Sequence, residues 1–311
     1  MKKIFKYNLI FVALIFANFS YSDGNHKIFN LGDFRLESGV ILPDTRLSYV
    51  THGKLNINKD NLIVVPSAYL GDHHGFDFLI EPGKALDPNK YFIVATDMFQ
   101  NGLSSSPSNT PEPFNGPNFP LISIRDNVNA GYKLVTEVFG VEKIRAVVGF
   151  SMGAQQAFQW GVSYPNFVEK IVGIAGSAVE YPHGIVRLEG FMSAIKADAA
   201  YKEGNYNSQP EVGLRAGGAH WASWGWSQEW FRLELYKEMG LNSPEAVVEW
   251  FEDFVLTWDA NNLIALAKTW QNNNIGNSPG FDGNFERALG SIKAEVLYMP
   301  SETDMYFHID A

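Results

Sequence analysis

The pentapeptide Gly149-Phe150-Ser151-Met152-Gly153 constrains this chain more than any other feature. An apolar run, Ile144 to Val148, leads into it, and a helix candidate, Met152 to Val162, leads out. A strand that turns directly into a helix at G-x-S-x-G has little room at the corner. A side chain at either glycine would strike the neighbouring strand or helix. The serine between them is forced into strained backbone at a helix N-terminus, where the dipole and free N–H groups favour developing negative charge. Ser151 is therefore the candidate nucleophile.

The rest of the chain repeats the strand-then-helix rhythm. Asn61 to Pro66, Tyr91 to Thr96, Ile171 to Ile174 and Glu295 to Met299 are short apolar runs of the kind buried on both faces of a sheet. Asp126 to Phe139 carries apolar residues near helical spacing. Strands alternating with helices predict an α/β fold, a mostly parallel central sheet covered by helices on both faces. The region from 181 to 285 breaks the rhythm. It is helical and rich in tryptophan (Trp221, Trp224, Trp226, Trp230, Trp250, Trp258 and Trp270) and reads as a lid inserted over the end of the sheet. Residues 23–180 and 286–311 then form the two parts of the core. The Pro/Ser/Asn-rich stretch Ser104 to Pro120 follows a buried strand and is expected as an ordered loop near the strands' carboxyl ends.

Composition excludes several function classes. The formal net charge is −10, from 24 Lys+Arg against 34 Asp+Glu, with no basic run. Nucleic-acid binding needs clustered cations to neutralise phosphates, so it is not expected. There are no cysteines, which removes disulfides, thiolate metal sites and a thiol nucleophile. His73-His74 lacks a spaced third ligand, so no metal site is expected. Acyl transfer through serine needs no cofactor. At the N-terminus Lys2, Lys3 and Lys6 precede the apolar stretch Leu9 to Ala17, and Ser20-Tyr21-Ser22 supplies small residues at a cleavage site. This layout predicts a signal peptide over residues 1–22, export to the periplasm or medium, and no membrane association after cleavage.

Several segments together resemble the homoserine O-acetyltransferase-like family of α/β-hydrolases. They are SAYLGDHH (67–74), NGLSSSPSNT (101–110), FPLISIRDNV (119–128), VGFSMGAQQAFQW (148–160), TWDANN (257–262) and MPSETDMYF (299–307). The resemblance implies an α/β-hydrolase fold with a helical lid after the strand that follows the nucleophile helix. It implies Ser151 as nucleophile, Asp304 as triad acid, and the backbone N–H groups of Met152 and Tyr69 as oxyanion hole. It also suggests that His73-His74 lines the pocket. The arginine with which the family's homoserine acetyltransferases hold their acceptor falls on Met192, which argues against homoserine here.

The triad histidine finds no match. The family places it beyond one further strand, and only His308 of the seven histidines follows Asp304. His308 is a weak candidate base at four residues' separation. The resemblance therefore implies a C-terminally truncated member, with the last strand, the last helix and the histidine segment missing. Three functions follow as expectations. The first is an exported hydrolase of small acyl esters working through an acyl-serine. The second is an acyltransferase from acetyl-CoA to a hydroxyl acceptor, in which acetyl-CoA is a co-substrate. The third is an inactive remnant or binding protein. A homodimer is compatible with each.

Overall fold

The computed structural model describes residues 26–310. The expected signal peptide, residues 1–22, lies outside them. Seven strands form one sheet: β1 Lys27–Arg35, β2 Ile41–His52, β3 Leu62–Pro66, β4 Phe92–Thr96, β5 Ala146–Phe150, β6 Lys170–Ile174 and β7 Glu295–Met299. Their order across the sheet is β1-β2-β4-β3-β5-β6-β7. β1 and β2 join antiparallel, β2 joins β4 antiparallel, and every other neighbouring pair is parallel. β3 and β4 are buried at every position, as their apolar runs predict. At the opposite edge from β1, β7 exposes Val296, Leu297, Tyr298 and Met299.

The expected strands and helices all form, with shifted ends. Ile144 makes only an isolated bridge to Val168, and the ladder of β5 starts at Ala146 and extends to Phe150. The helix expected over 126–139 begins earlier, as α1 Ile124–Lys133, because Ser123 and Asp126 form a reciprocal capping box. It then widens into a π-turn over Leu134–Val138. β1 and β2 had no counterpart among the apolar runs. Their exposed and buried residues are mixed, and their pairing is interrupted by irregular register.

α2 Met152–Ser163 follows β5 and is buried at nearly every position. Beyond β6 the lid rises as α3 Pro182–Lys196, α4 Glu211–Ala222, α5 Gln228–Arg232, α6 Pro244–Leu256 and α7 Ala260–Gln271. α8 Phe285–Leu289 leads back to β7. One apolar cluster runs from Trp221, Trp226, Trp230 and Trp270 down to Tyr69, Met98, Met152 and Phe307. The lid core and the floor at the sheet's carboxyl ends are therefore one packed body. Met192, onto which the resemblance placed the family's arginine, is buried within it.

Candidate active site

The corner between β5 and α2 has the geometry that G-x-S-x-G requires. Ser151 has φ 55° and ψ −122°, a strained conformation for a residue with a side chain. A Cβ on Gly149 would stand 2.0 Å from the Gly153 carbonyl oxygen, and one on Gly153 would stand 2.8 Å from that of Pro66. Both glycines let α2 fold back against β5 and β3. The Ser151 N–H donates to the Ile174 carbonyl at 3.0 Å, which ties the corner to the end of β6.

Tyr69 follows β3 by three residues. It is buried, its ring stacks on Trp221 with centroids 5.2 Å apart, and its hydroxyl donates to the Leu263 carbonyl of α7. The loop is tied to α2 at its start, where Gln156 Nε2 donates to the Ser67 carbonyl at 2.9 Å. Met152 opens α2, so its N–H has no carbonyl one turn back within the helix. Tyr69 and Met152 share one apolar cluster beside the corner.

Asp304 lies five residues beyond β7. The parallel ladder pairs Ile174 with Met299, so the Asp304 loop and the Ser151 corner leave the sheet at the same end. Oδ1 of Asp304 accepts the N–H groups of Tyr306 (2.7 Å) and Phe307 (3.0 Å). Burial raises its pKa, and these two bonds, with the charges of Arg187 and His308, act in the opposite direction. A pocket of about 410 Å³ opens against Asp304, walled by Tyr181, His183, Trp224, Met305, His308 and Asp310. His308 is on that wall, but its Nδ1 accepts the Asp310 N–H at 3.3 Å. Among the described residues, Asp304 hydrogen-bonds to main-chain N–H groups and to no imidazole.

Two buried charged residues act on this region: Arg187, which the sequence offers as a candidate for the family's lid arginine without matching its position, and Glu180, which sequence patterns did not single out. Arg187 of α3 is buried, with its guanidinium 4.5 Å from the Tyr306 ring, 4.7 Å from Trp270 and 5.4 Å from Trp221. These aromatic faces offset part of the desolvation that lowers its pKa. Glu180 accepts from Trp270 Nε1 at 2.6 Å and from Gln155 Nε2 at 3.3 Å, and burial pushes its pKa up to about 7. A single charge in an apolar stretch carries no periodic signal, so only the packed structure shows that these two charges are buried near enough to act on each other.

The structure also explains two sequence segments that had no assigned chemistry. Asp259 caps α7 by accepting the Asn262 N–H, and it also accepts from Tyr206 and Gln209. Asn262 exchanges two bonds with Ser108, through its Nδ2 to Ser108 Oγ and from Ser108 N to its Oδ1. The 257–262 segment therefore seats the lid on the 101–110 loop, whose Ser104, Ser105 and Ser106 are buried. His73 does not line an open pocket. It is fully buried and bonded to Asp97. His74 pairs instead with Asp77, at 2.6 Å.

The α/β hydrolase fold family model matches residues 61–299. The chain is 39% identical over 300 residues to an ethyl acetate hydrolase of Pseudomonas veronii, covering 94% of this chain and 85% of that protein. It is 31% identical over 299 residues to a homoserine O-acetyltransferase of Leptospira biflexa, covering 88% and 78%. Among solved structures, the acetyl esterase MekB superposes with a TM-score of 0.89 at 38% identity, covering 92% of this chain and 84% of that one.

Proposed function

The chain belongs to the α/β-hydrolase fold family, and from that premise we propose that it hydrolyses small acyl esters, acetyl esters foremost, through an acyl-serine. The observation that carries the reading is the strained Ser151 at the start of α2, beside the loop of Tyr69. Ser151 Oγ attacks the ester carbonyl carbon. The carbonyl oxygen becomes an oxyanion and takes the N–H groups of Met152 and Tyr69. The C–O bond to the alcohol then breaks, and the alcohol leaves with a proton. Water attacks the acyl-serine, releasing the carboxylic acid and restoring Ser151. The Ser151 proton passes to a base beside Asp304, for which His308 on the same pocket wall is the candidate among the described residues, and that base returns it to the leaving alcohol.

Water is the acceptor in this reading. The ester-hydrolysing relatives support it, and so does the N-terminal pattern of Lys2, Lys3, Lys6 and the apolar stretch behind them. An exported chain meets esters and water and is separated from cytoplasmic acetyl-CoA. Transfer to a hydroxyl acceptor is the second reading, supported by the similarity to a homoserine O-acetyltransferase.

The test is intact mass of the purified chain with and without a fluorophosphonate probe. One adduct, lost in Ser151→Ala, is expected. Short-chain acetyl esters should then turn over without acetyl-CoA. A folded chain that takes no adduct overturns the reading, and turnover that requires acetyl-CoA favours transfer. Export is checked by N-terminal sequencing of the chain recovered outside the cytoplasm, with cleavage after Ser22 expected.

A further inference from the structure

We propose that Asp97 is a positioning residue for the oxyanion hole: its buried carboxylate fixes the 67–74 loop that carries the Tyr69 N–H. The inference rests on the assignment of that N–H as an oxyanion donor.

Asp97 is the first residue after β4 and is fully buried. The ladder pairs Pro66 of β3 with Thr96 of β4, so the Tyr69 loop and Asp97 leave the sheet at the same level. Oδ1 accepts the His73 N–H at 2.9 Å and Asn101 Nδ2 at 3.1 Å. Oδ2 accepts the Ser48 hydroxyl at 2.7 Å and lies 2.8 Å from His73 Nδ1. Two of these four contacts come from one residue, His73, through its backbone and its ring. That clamps the far end of the loop in position and in direction.

The near end is clamped at the same place. Ser67 N donates to the Thr96 carbonyl at 2.9 Å, and Met98 N donates to Ser67 Oγ at 2.9 Å. Between the clamps, Gly71 N closes a turn on the Ala68 carbonyl at 3.1 Å, and Leu70 adopts φ 56°. Tyr69 sits inside that turn with both flanks fixed. Burying a carboxylate is a poor way to gain stability, because an apolar group of similar volume often serves as well. What the four contacts supply is direction. An oxyanion donor must stand about 2.7–3.1 Å from the developing charge, and a misplacement of about 1 Å can lose roughly 100-fold in rate.

Asp97→Asn keeps the shape and removes the charge. We expect its kcat to fall about 10- to 100-fold with KM within about 2-fold, since the donor acts chiefly on the transition state. Affinity for an alkylboronic acid, which forms a tetrahedral adduct on serine, should fall in parallel. Amide hydrogen exchange should quicken in peptides covering 67–74 and not in α2. His73→Asn removes the ring contact and keeps the backbone one, so an intermediate loss is expected. It also serves as the second variant should Asp97→Asn fold poorly.

Asp126→Asn is the control for burial alone. Asp126 is a buried carboxylate of α1 that accepts the N–H groups of Ser123 and Glu37, far along the chain from the Tyr69 loop. It should lower the melting temperature and leave kcat per folded molecule in place. The proposal is overturned if Asp97→Asn keeps its kcat or boronate affinity. It is equally overturned if both variants lose activity only in proportion to folded protein, or if exchange over 67–74 is unchanged. Should the unmodified chain show neither labelling nor turnover, the esterase reading fails. The exchange measurement still decides whether Asp97 holds the loop.

Discussion

The hydroxyl of Tyr69 donates to the main-chain oxygen of Leu263 at 3.0 Å. One end of this residue carries a proposed oxyanion donor, and the other is bonded to lid helix α7. The ring between them is packed on Trp221 and Trp270. The seat of the lid and the geometry of the oxyanion loop are therefore mechanically joined. Tyr69→Phe keeps the ring and removes the bond. It should destabilise the fold by about 1 kcal/mol, the usual net value of such a bond. It should also lower kcat about 3- to 10-fold through loosened donor alignment. Steady-state kinetics beside thermal melting checks this, and an unchanged kcat would show that the lid does not act through Tyr69.

Glu180 predicts a pH dependence of stability. Burial raises its pKa from 4.5 to about 7. Between those values the folded chain holds a proton that the unfolded chain releases. Stability contributed by this group is therefore full below about pH 4.5, declines as pH rises toward 7, and is flat above. The span amounts to a few kcal/mol at most, on the order of 1.4 kcal/mol per unit. Glu180→Gln should remove this decline and stabilise the fold most at pH 8. Denaturant melts at pH 5 and pH 8 for both proteins give the answer. An equal difference between the two pH values in both proteins would exclude Glu180 as its source.

Much of this architecture is legible in the sequence because it rests on local patterns. β3 and β4 are continuous apolar runs, and the Ser151 corner is a contiguous pentapeptide with a strand before it and a helix after it. β1 and β2 were not legible. Each is partly solvated, and their partners lie in another strand rather than in a period. Glu180 and Asp97, and the aromatic setting of Arg187, were hidden for a different reason. Each is one charged residue in an apolar setting, and its meaning lies in contacts to residues tens of positions away. The His73-His74 pair shows the limit most directly. Adjacent and chemically identical in sequence, one is buried on Asp97 and the other pairs with Asp77.

Gly149 tests the corner itself. An added methyl would stand 2.0 Å from the Gly153 oxygen and 2.6 Å from the Ala154 nitrogen, both backbone atoms of α2. No side-chain rotation relieves that contact, so α2 must move off β5. Gly149→Ala should lose about 3 kcal/mol or more, at the upper end of overpacking effects. Gly71→Ala is the comparison, since its nearest atom would be the Ala68 oxygen at 3.5 Å. It should lose less than about 1 kcal/mol. Chemical denaturation of both variants checks the ranking, and similar losses would mean that the corner is not sterically closed.

Asp304 supplies the last prediction. Its Oδ1 is bonded to two main-chain N–H groups, and the pocket against it has about 410 Å³. That volume admits a small heterocyclic base beside the carboxylate. Added imidazole at about 100 mM should therefore speed fluorophosphonate labelling of Ser151 by about tenfold or more, less than the roughly 100- to 10,000-fold that a positioned side-chain base supplies. Asp304→Ala should abolish the acceleration, because nothing then orients the added base. His308→Ala separates the internal candidate from the added one. If His308 serves as base, labelling without imidazole falls in that variant and imidazole restores it. If it does not, the two proteins label alike. Acceleration that survives in Asp304→Ala would show that the carboxylate has no part in activating Ser151.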